Sequence, residues 1–298
     1  MVQSVSLSIM HADLHLHTCF SDGTYTPEEL AGHAVRCGLR AVALTDHDTM
    51  DGCMRMAAAC QAAGLEFVPG AEITSEFHGH ELHMLGYYLD RENSTLLHQL
   101  TRFQEVRRQR IYDMVERLNR LRVPLTVDAV FALASCRSPG RPHVARALVQ
   151  GGWCSSLDEA FERFLKKGKP AWSPKFKIPA TEAIALIHQA GGLAALAHPG
   201  LNHCDEAIPD LASAGMDGLE CFHTKHSTSI TQRYLETAER HKLLVTGGSD
   251  CHGMSKGQPL IGSLKVPYEC VERLRDAMQR RAVEGGFLLA GGHTAEPS

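Results

Sequence analysis

His11-Ala12-Asp13-Leu14-His15-Leu16-His17-Thr18 alternates polar and apolar residues with a period of two, the pattern of a strand whose successive side chains point to opposite faces. Asp13, His15 and His17 therefore share one face, and Leu14 and Leu16 the other. The stretch runs straight into Cys19-Phe20-Ser21-Asp22-Gly23, a loop that adds a carboxylate just beyond the two imidazoles. Polar, metal-competent side chains thus stand where an apolar segment ends, as they do at the mouth of an α/β barrel.

The same arrangement recurs along the chain. Thr26, Pro27 and Glu29 predict a capped helix that stops at Gly38. Residues 41–45 are nearly continuously apolar, as in a parallel strand covered on both faces, and end in Thr45-Asp46-His47-Asp48. A second helix ending at Gly64 leads to a strand over 65–69 followed by Gly70-Ala71-Glu72, and a strand over 82–89 carries His83. Later, Thr181 is expected to cap a helix through His188 that ends at Gly191, and a strand over 193–197 terminates in His198-Pro199-Gly200. A strand over 216–222, a helix over 228–241 and a strand over 243–246 follow. The last ends in Gly247-Gly248-Ser249-Asp250-Cys251-His252. Six or seven β/α units with polar carboxyl ends describe a barrel.

Residues 101–175 break this rhythm. Ile111, Met114, Val115, Leu118 and Leu121 give a helical period and no strand pattern appears, so the chain divides into a barrel (1–100 and 176–298) and a small helical insertion (101–175). Residues 101–180 carry 16 Lys plus Arg against 7 Asp plus Glu, and the rest of the chain 14 against 27. A basic cap over an acidic body suits an anionic substrate. Arg107-Arg108-Gln109-Arg110 reads as an exposed helix face.

With 298 residues and 44% hydrophobic content the chain can bury a full-sized core, and a net charge of -4 excludes a surface that grips nucleic acid all over. Ten cysteines without a Cys-x-x-Cys pair read as small buried hydrophobes in a reducing compartment. Residues 1–10 lack the basic start of a secretory signal, and no apolar run reaches membrane-spanning length. A cytoplasmic protein, a monomer without a membrane partner, is expected. No Gly-x4-Gly-Lys-Ser/Thr loop points to ATP-driven chemistry.

Nine residues are candidates for a shared metal centre: His15, His17, Asp22, His47, Glu72, His83, His198, Asp250 and His252. Imidazole with carboxylate suits Mn, Fe and Zn, and the missing thiolate pairs argue against a structural zinc site. Nine donors exceed the needs of one ion. Two or three ions about 3.5–4 Å apart can activate a water and stabilise an in-line displacement at phosphorus. His11, His33, His78, His80, His98, His188, His203, His226, His241 and His293 lack this strand-end placement and read as ordinary surface or core histidines.

The motifs His15-Leu-His17-Thr-Cys-Phe-Ser21-Asp22-Gly23, Thr45-Asp46-His47-Asp48, Gly70-Ala71-Glu72, His83, His198-Pro199-Gly200 and Ser249-Asp250-Cys251-His252-Gly253 resemble, in order, those of the polymerase and histidinol phosphatase (PHP) domain family. The resemblance implies a distorted seven-stranded (β/α)7 TIM-like barrel, up to three divalent ions, commonly Mn2+, and phosphate-ester hydrolysis. It makes all nine candidates metal ligands. With its helical insertion and Gly140-Arg141-Pro142-His143, the chain is most similar to the branch that removes the 3′-phosphate from nucleoside 3′,5′-bisphosphates. Members of that branch also trim RNA or short oligonucleotides from the 5′ end.

Such a substrate needs a cationic pocket for its second phosphate. Arg141 offers a bidentate fork, with Lys175 and His143 as further contacts. His223, just past the strand over 216–222, is expected at the mouth, where it would steady the transferred phosphoryl group or protonate the leaving oxygen beside Asp250. Three alternatives remain: a histidinol-phosphate phosphatase on the same barrel, an amidohydrolase, whose barrels also begin with His-x-His, and a non-catalytic metal-stabilised module.

Overall fold

The computed structural model describes residues 10–290; His293 lies outside them. In chain order the elements are β1 (His11–Asp13), α1 (Pro27–Arg36), β2 (Leu39–Leu44), α2 (Cys53–Ala63), β3 (Glu66–Phe77), β4 (His80–Tyr87), α3 (Ser94–Arg120), α4 (Val127–Leu133), α5 (Arg141–Gln150) and α6 (Leu157–Ala160), the last running into a π-helical turn, Phe161–Leu165. Then come β5 (Ile178–Pro179), α7 (Ala180–Gln189), β6 (Leu193–Leu196), α8 (Pro199–Asn202), α9 (Ala207–Ser213), β7 (Gly218–His223), α10 (Thr228–His241), β8 (Leu244–Gly248), β9 (Val266–Pro267) and α11 (Glu269–Ala290).

The sheet runs β8-β7-β6-β4-β3-β2-β1-β9, with β5 paired to β3. β1 and β8 sit at opposite ends of its seven main strands and are drawn together by Leu14 N–H donating to the Gly247 carbonyl and Asp250 N–H to that of His15, both at 3.0 Å. The result is a nearly closed, distorted α/β barrel. A Cβ on Gly248 would run into the backbone of His15, so only glycine lets the two edges approach this closely. Local signals act as expected at several ends: Thr26 and Glu29 form the reciprocal capping box that opens α1, and Gly64 closes α2 in the left-handed conformation.

Four details depart from the sequence reading. β1 is only three residues long; beyond Asp13 the chain keeps its alternation but is tied by irregular bonds such as Thr45 N–H to the Leu16 carbonyl at 3.0 Å. β3 continues through Glu72 to Phe77, because β4 returns beside it as an antiparallel hairpin. His78 and Gly79 turn that hairpin with φ of 47° and 84°, the left-handed pair a tight two-residue turn requires. Glu72 therefore lies inside a strand, and β4 runs antiparallel to both β3 and β6. Finally, α7 begins at Ala180, ahead of the expected cap Thr181.

The helical segment joins the barrel through α3. Capped by Asn93, this helix crosses position 101 without a break. Leu96, Leu100 and Phe103 pack into the barrel core. Ile111, Met114, Val115 and Leu118 pack into a second cluster with Val130, Val144, Leu148 and Leu165. The change of core falls in the middle of one helix, where 3.6-residue periodicity carries a single stripe past both. Arg107 and Arg110 lie on that stripe, so the expectation of an exposed face fails for them: they are 6% and 3% exposed.

Candidate metal centre

The nine candidates converge at the barrel mouth. Glu72, fully buried, meets five imidazoles: His83 at 2.7 Å, His47 at 2.9 Å, His198 at 3.1 Å, His17 at 3.3 Å and His15 at 3.4 Å. Asp250 lies 3.3 Å from His17, 3.5 Å from His252 and 3.6 Å from His15, and Asp22 lies 3.1 Å from His252. The donors fall into four overlapping sets, His17-Asp22-His47-His252, His15-His17-Asp250, His15-Glu72-His198 and His47-Glu72-His83, each with its ligand atoms within 4.8 Å of one another. All nine candidates belong to at least one set.

Several of these close approaches are not aligned as hydrogen bonds. His17 Nδ1, Asp22 Oδ1, His47 Nδ1, Glu72 Oε2 and both ring nitrogens of His83 are buried without a partner, a condition native interiors rarely tolerate. Those on the cluster side, His47 Nδ1, Glu72 Oε2 and His83 Nδ1 among them, fit a cation. Burial pushes His47 down to about 4, whereas the carboxylates around His15 and His17 outweigh their burial and lift them, His17 to about 10. For Glu72, burial is outweighed by His47, His83 and His15, which hold the carboxyl well below its ordinary range. His198 and Asp250 have φ of 29° and 54°, backbone strain of the kind that collects at functional sites.

A second layer aims the imidazoles. His15 Nδ1 donates to Glu220 at 3.0 Å, His252 Nδ1 to the Asp250 carbonyl at 2.9 Å and His198 Nδ1 to Asn202 at 3.3 Å. Each of these rings thereby presents Nε2 to the cluster, as ligating histidines do. Glu220 also accepts the His198 N–H at 2.6 Å. Asp46 fixes the Asp22 loop through Thr18 and Ser21, both hydroxyls at 2.5 Å.

Facing the cluster is a wall of cations. Arg107 donates to Asp48 at 2.7 Å and to Thr74 at 3.2 Å, tying α3 to the barrel. Lys175 pairs with Glu81 at 2.6 Å, and Glu81 in turn approaches His83 at 3.4 Å. Arg141, at the start of α5, donates to the Leu165 carbonyl at 3.3 Å. Burial pushes Arg110 down to about 9, with Arg107 and Arg141 adding to the effect. Lys175 is lowered by burial and by the same two neighbours. The four cations lie close enough to repel one another: Arg107 and Lys175 are paired with Asp48 and Glu81, whereas Arg110 and Arg141 meet the carbonyls of Ser173 and Leu165.

The PHP domain model matches residues 13–167, just over half of the chain. The chain belongs to the PHP domain family. It is 32% identical to the 5'-3' exoribonuclease Rnm of Escherichia coli over 247 residues, 80% of this chain and 84% of that protein. It is 31% identical to the 3',5'-nucleoside bisphosphate phosphatase of Chromobacterium violaceum over 258 residues, covering 84% and 90%. A crystal structure from Bifidobacterium adolescentis, described as a proposed metal-dependent phosphoesterase, superposes with a TM-score of 0.83 at 33% identity, covering 90% of this chain and 96% of that one. This PHP protein is a hydrolase, a metal-dependent phosphoesterase.

Two further candidates have specific surroundings in the PHP protein. His223 Nδ1 accepts from Lys225 N–H at 3.1 Å, so the neutral ring carries its proton on Nε2, which is otherwise unpartnered and lies 3.7 Å from Asp250. His143 Nδ1 accepts from Gly140 N–H at 3.0 Å, which leaves Nε2 as its one ring nitrogen for a ligand. Sequence reasoning missed Glu220, Arg107 and Arg110. Glu220 had a signal, an acid inside an otherwise apolar strand, and the two arginines fell on the apolar register of α3. Among the described residues no helix is long and apolar enough to cross a membrane.

Proposed function

We propose that this protein removes the 3′-phosphate from nucleoside 3′,5′-bisphosphates and trims RNA or short oligonucleotides from the 5′ end. His15, His17, Asp22, His47, Glu72, His83, His198, Asp250 and His252 would hold two or three divalent ions, Mn2+ first, with Fe2+ or Zn2+ as alternatives. Residues 101–175 act as a basic cap on the barrel. One observation carries the reading: a buried cluster of imidazoles and carboxylates stands opposite Arg107, Arg110, Arg141 and Lys175. A substrate with two phosphates needs both sites. The names of the relatives in Escherichia coli and Chromobacterium violaceum point the same way.

When bound, the ions supply an activated water and charge neutralisation at phosphorus. The chain's own residues do the rest. Glu220 and Asn202 fix the tautomers of His15 and His198, so both present a lone pair to the centre. Arg141, Lys175 and His143 grip the phosphate that is not hydrolysed. His223 holds a proton on Nε2 beside Asp250, ready to steady the phosphoryl oxygens or to protonate the leaving ribose oxygen. Ten free cysteines, none bridged, support a reducing cytoplasmic setting.

The test is steady-state turnover of adenosine 3′,5′-bisphosphate, short 5′-phosphorylated RNA and histidinol phosphate by manganese-loaded protein. The bisphosphate and the RNA should both be cleaved, with kcat/KM at least about tenfold above that for histidinol phosphate, because only they can occupy the cationic wall and the metal centre together. Preference for histidinol phosphate would end the assignment.

A further inference from the structure

A cleft of about 550 Å³ opens onto Asp22 and His252 at the edge of the candidate metal centre. Its far wall comes from the helical insertion: Pro142, Leu157 and Phe161, with Ser156 and Asp158 beside them. Ser255 closes the barrel side, held by the Arg146 guanidinium, which donates to its hydroxyl at 2.8 Å and to the Asp22 carbonyl at 2.5 Å. Phe161 is half-buried, packed on the insertion core while lining the cleft. It opens the π-helical turn, a rare conformation enriched at functional sites. The Arg141 guanidinium stands 5.8 Å from the centre of its ring.

Neither phosphate hydrolysis nor phosphate binding gives these apolar side chains a task. We propose that the cleft is a nucleobase site, with Phe161 as its stacking face. The proposal rests on the nucleotide reading above and locates the one part of such a substrate not yet accounted for. A base on Phe161 would lie beside Arg141, the proposed grip for the 5′-phosphate, and in the same cleft as Asp22 and His252, where the 3′-phosphate is expected. The polar groups near the ring, Ser156 and Asp158, are exposed. Recognition is therefore by the face of the base rather than by its hydrogen-bonding edge, and it is tolerant of sequence. That suits an enzyme that meets whichever nucleoside stands at a chain end.

Calorimetric titration of manganese-loaded protein with AMP and with ribose 5-phosphate isolates the contribution of the base. AMP should bind the wild type about five- to a hundredfold more tightly, the range for a base stacked on an aromatic ring. In Phe161→Leu, which keeps apolar packing but removes the ring, the gap should close; Phe161→Trp should restore it. Equal binding of the two ligands by the wild type, or a gap unchanged in Phe161→Leu, overturns the base site. Turnover of adenosine 3′,5′-bisphosphate is followed in parallel. No turnover together with the expected binding pattern rejects the bisphosphate assignment and supports the base site.

Discussion

The barrel mouth and the insertion facing it both bury charge, but they stabilise it differently. At the mouth, imidazoles and carboxylates converge with several ring and carboxylate atoms unpartnered, and Glu220, Asn202 and a backbone carbonyl fix the orientation of three of the rings. On the insertion side, cations crowd one another and only part of their charge is matched, by Asp48 and Glu81. The first arrangement is built to receive a cation, the second an anion. On the proposed function, divalent ions would complete the first and the phosphate that is not hydrolysed the second.

Removing the central carboxylate is the most severe way to break this contrast. Glu72→Gln should lower kcat by about a thousandfold or more and reduce bound metal, since Glu72 touches five imidazoles. Elemental analysis and turnover check it, with circular dichroism showing a retained fold; near-normal metal content and rate would mean the cluster is not the catalytic centre. Next comes the link between the two regions. Arg107→Met leaves Asp48 buried without its partner and should cost about 3–5 kcal/mol of stability. Chemical denaturation measures it, and a loss under about 1 kcal/mol would show Arg107 to be held for binding rather than anchorage.

A smaller effect sharpens the comparison through pH. Burial pushes His143 down to about 4, against an ordinary value near 6.5. The unfolded chain therefore binds more protons between these values, and stability falls as pH drops from about 6.5 towards 4, by up to about 3 kcal/mol from this residue. His143→Gln should remove that share of the slope. Melting curves of variant and wild type should converge as pH falls from 7 to 4.5; curves that stay parallel would show His143 to be insensitive to its burial.

Much of the site was legible because strand ends in an α/β barrel share one mouth. Alternation placed His15 and His17 on one face, and each later β/α unit repeated the signal at His47, His198, Asp250 and His252. Glu72 and His83 do join the cluster, His83 from a strand as expected and Glu72 from inside a strand rather than from a loop beyond one. The hairpin that reverses β4 is signalled only by His78-Gly79, and nothing local says that a crossover helix is missing there. Arg107 and Arg110 were misread because charge normally marks the solvent side of a helix. Here their register on α3 mattered more than their type, since a buried partner stood across the interface.

Residue type and period alone determined the barrel and singled out the nine candidate donors and the helical segment, because backbone geometry forces side chains of period two or 3.6 to share a face. Only the tertiary structure decided which donors group together, how Glu220 and Asn202 orient them, and that four cations and an aromatic ring from a distant insertion close over the same mouth. Those relations join groups far apart in the chain, and no local pattern encodes a distance across a folded interface.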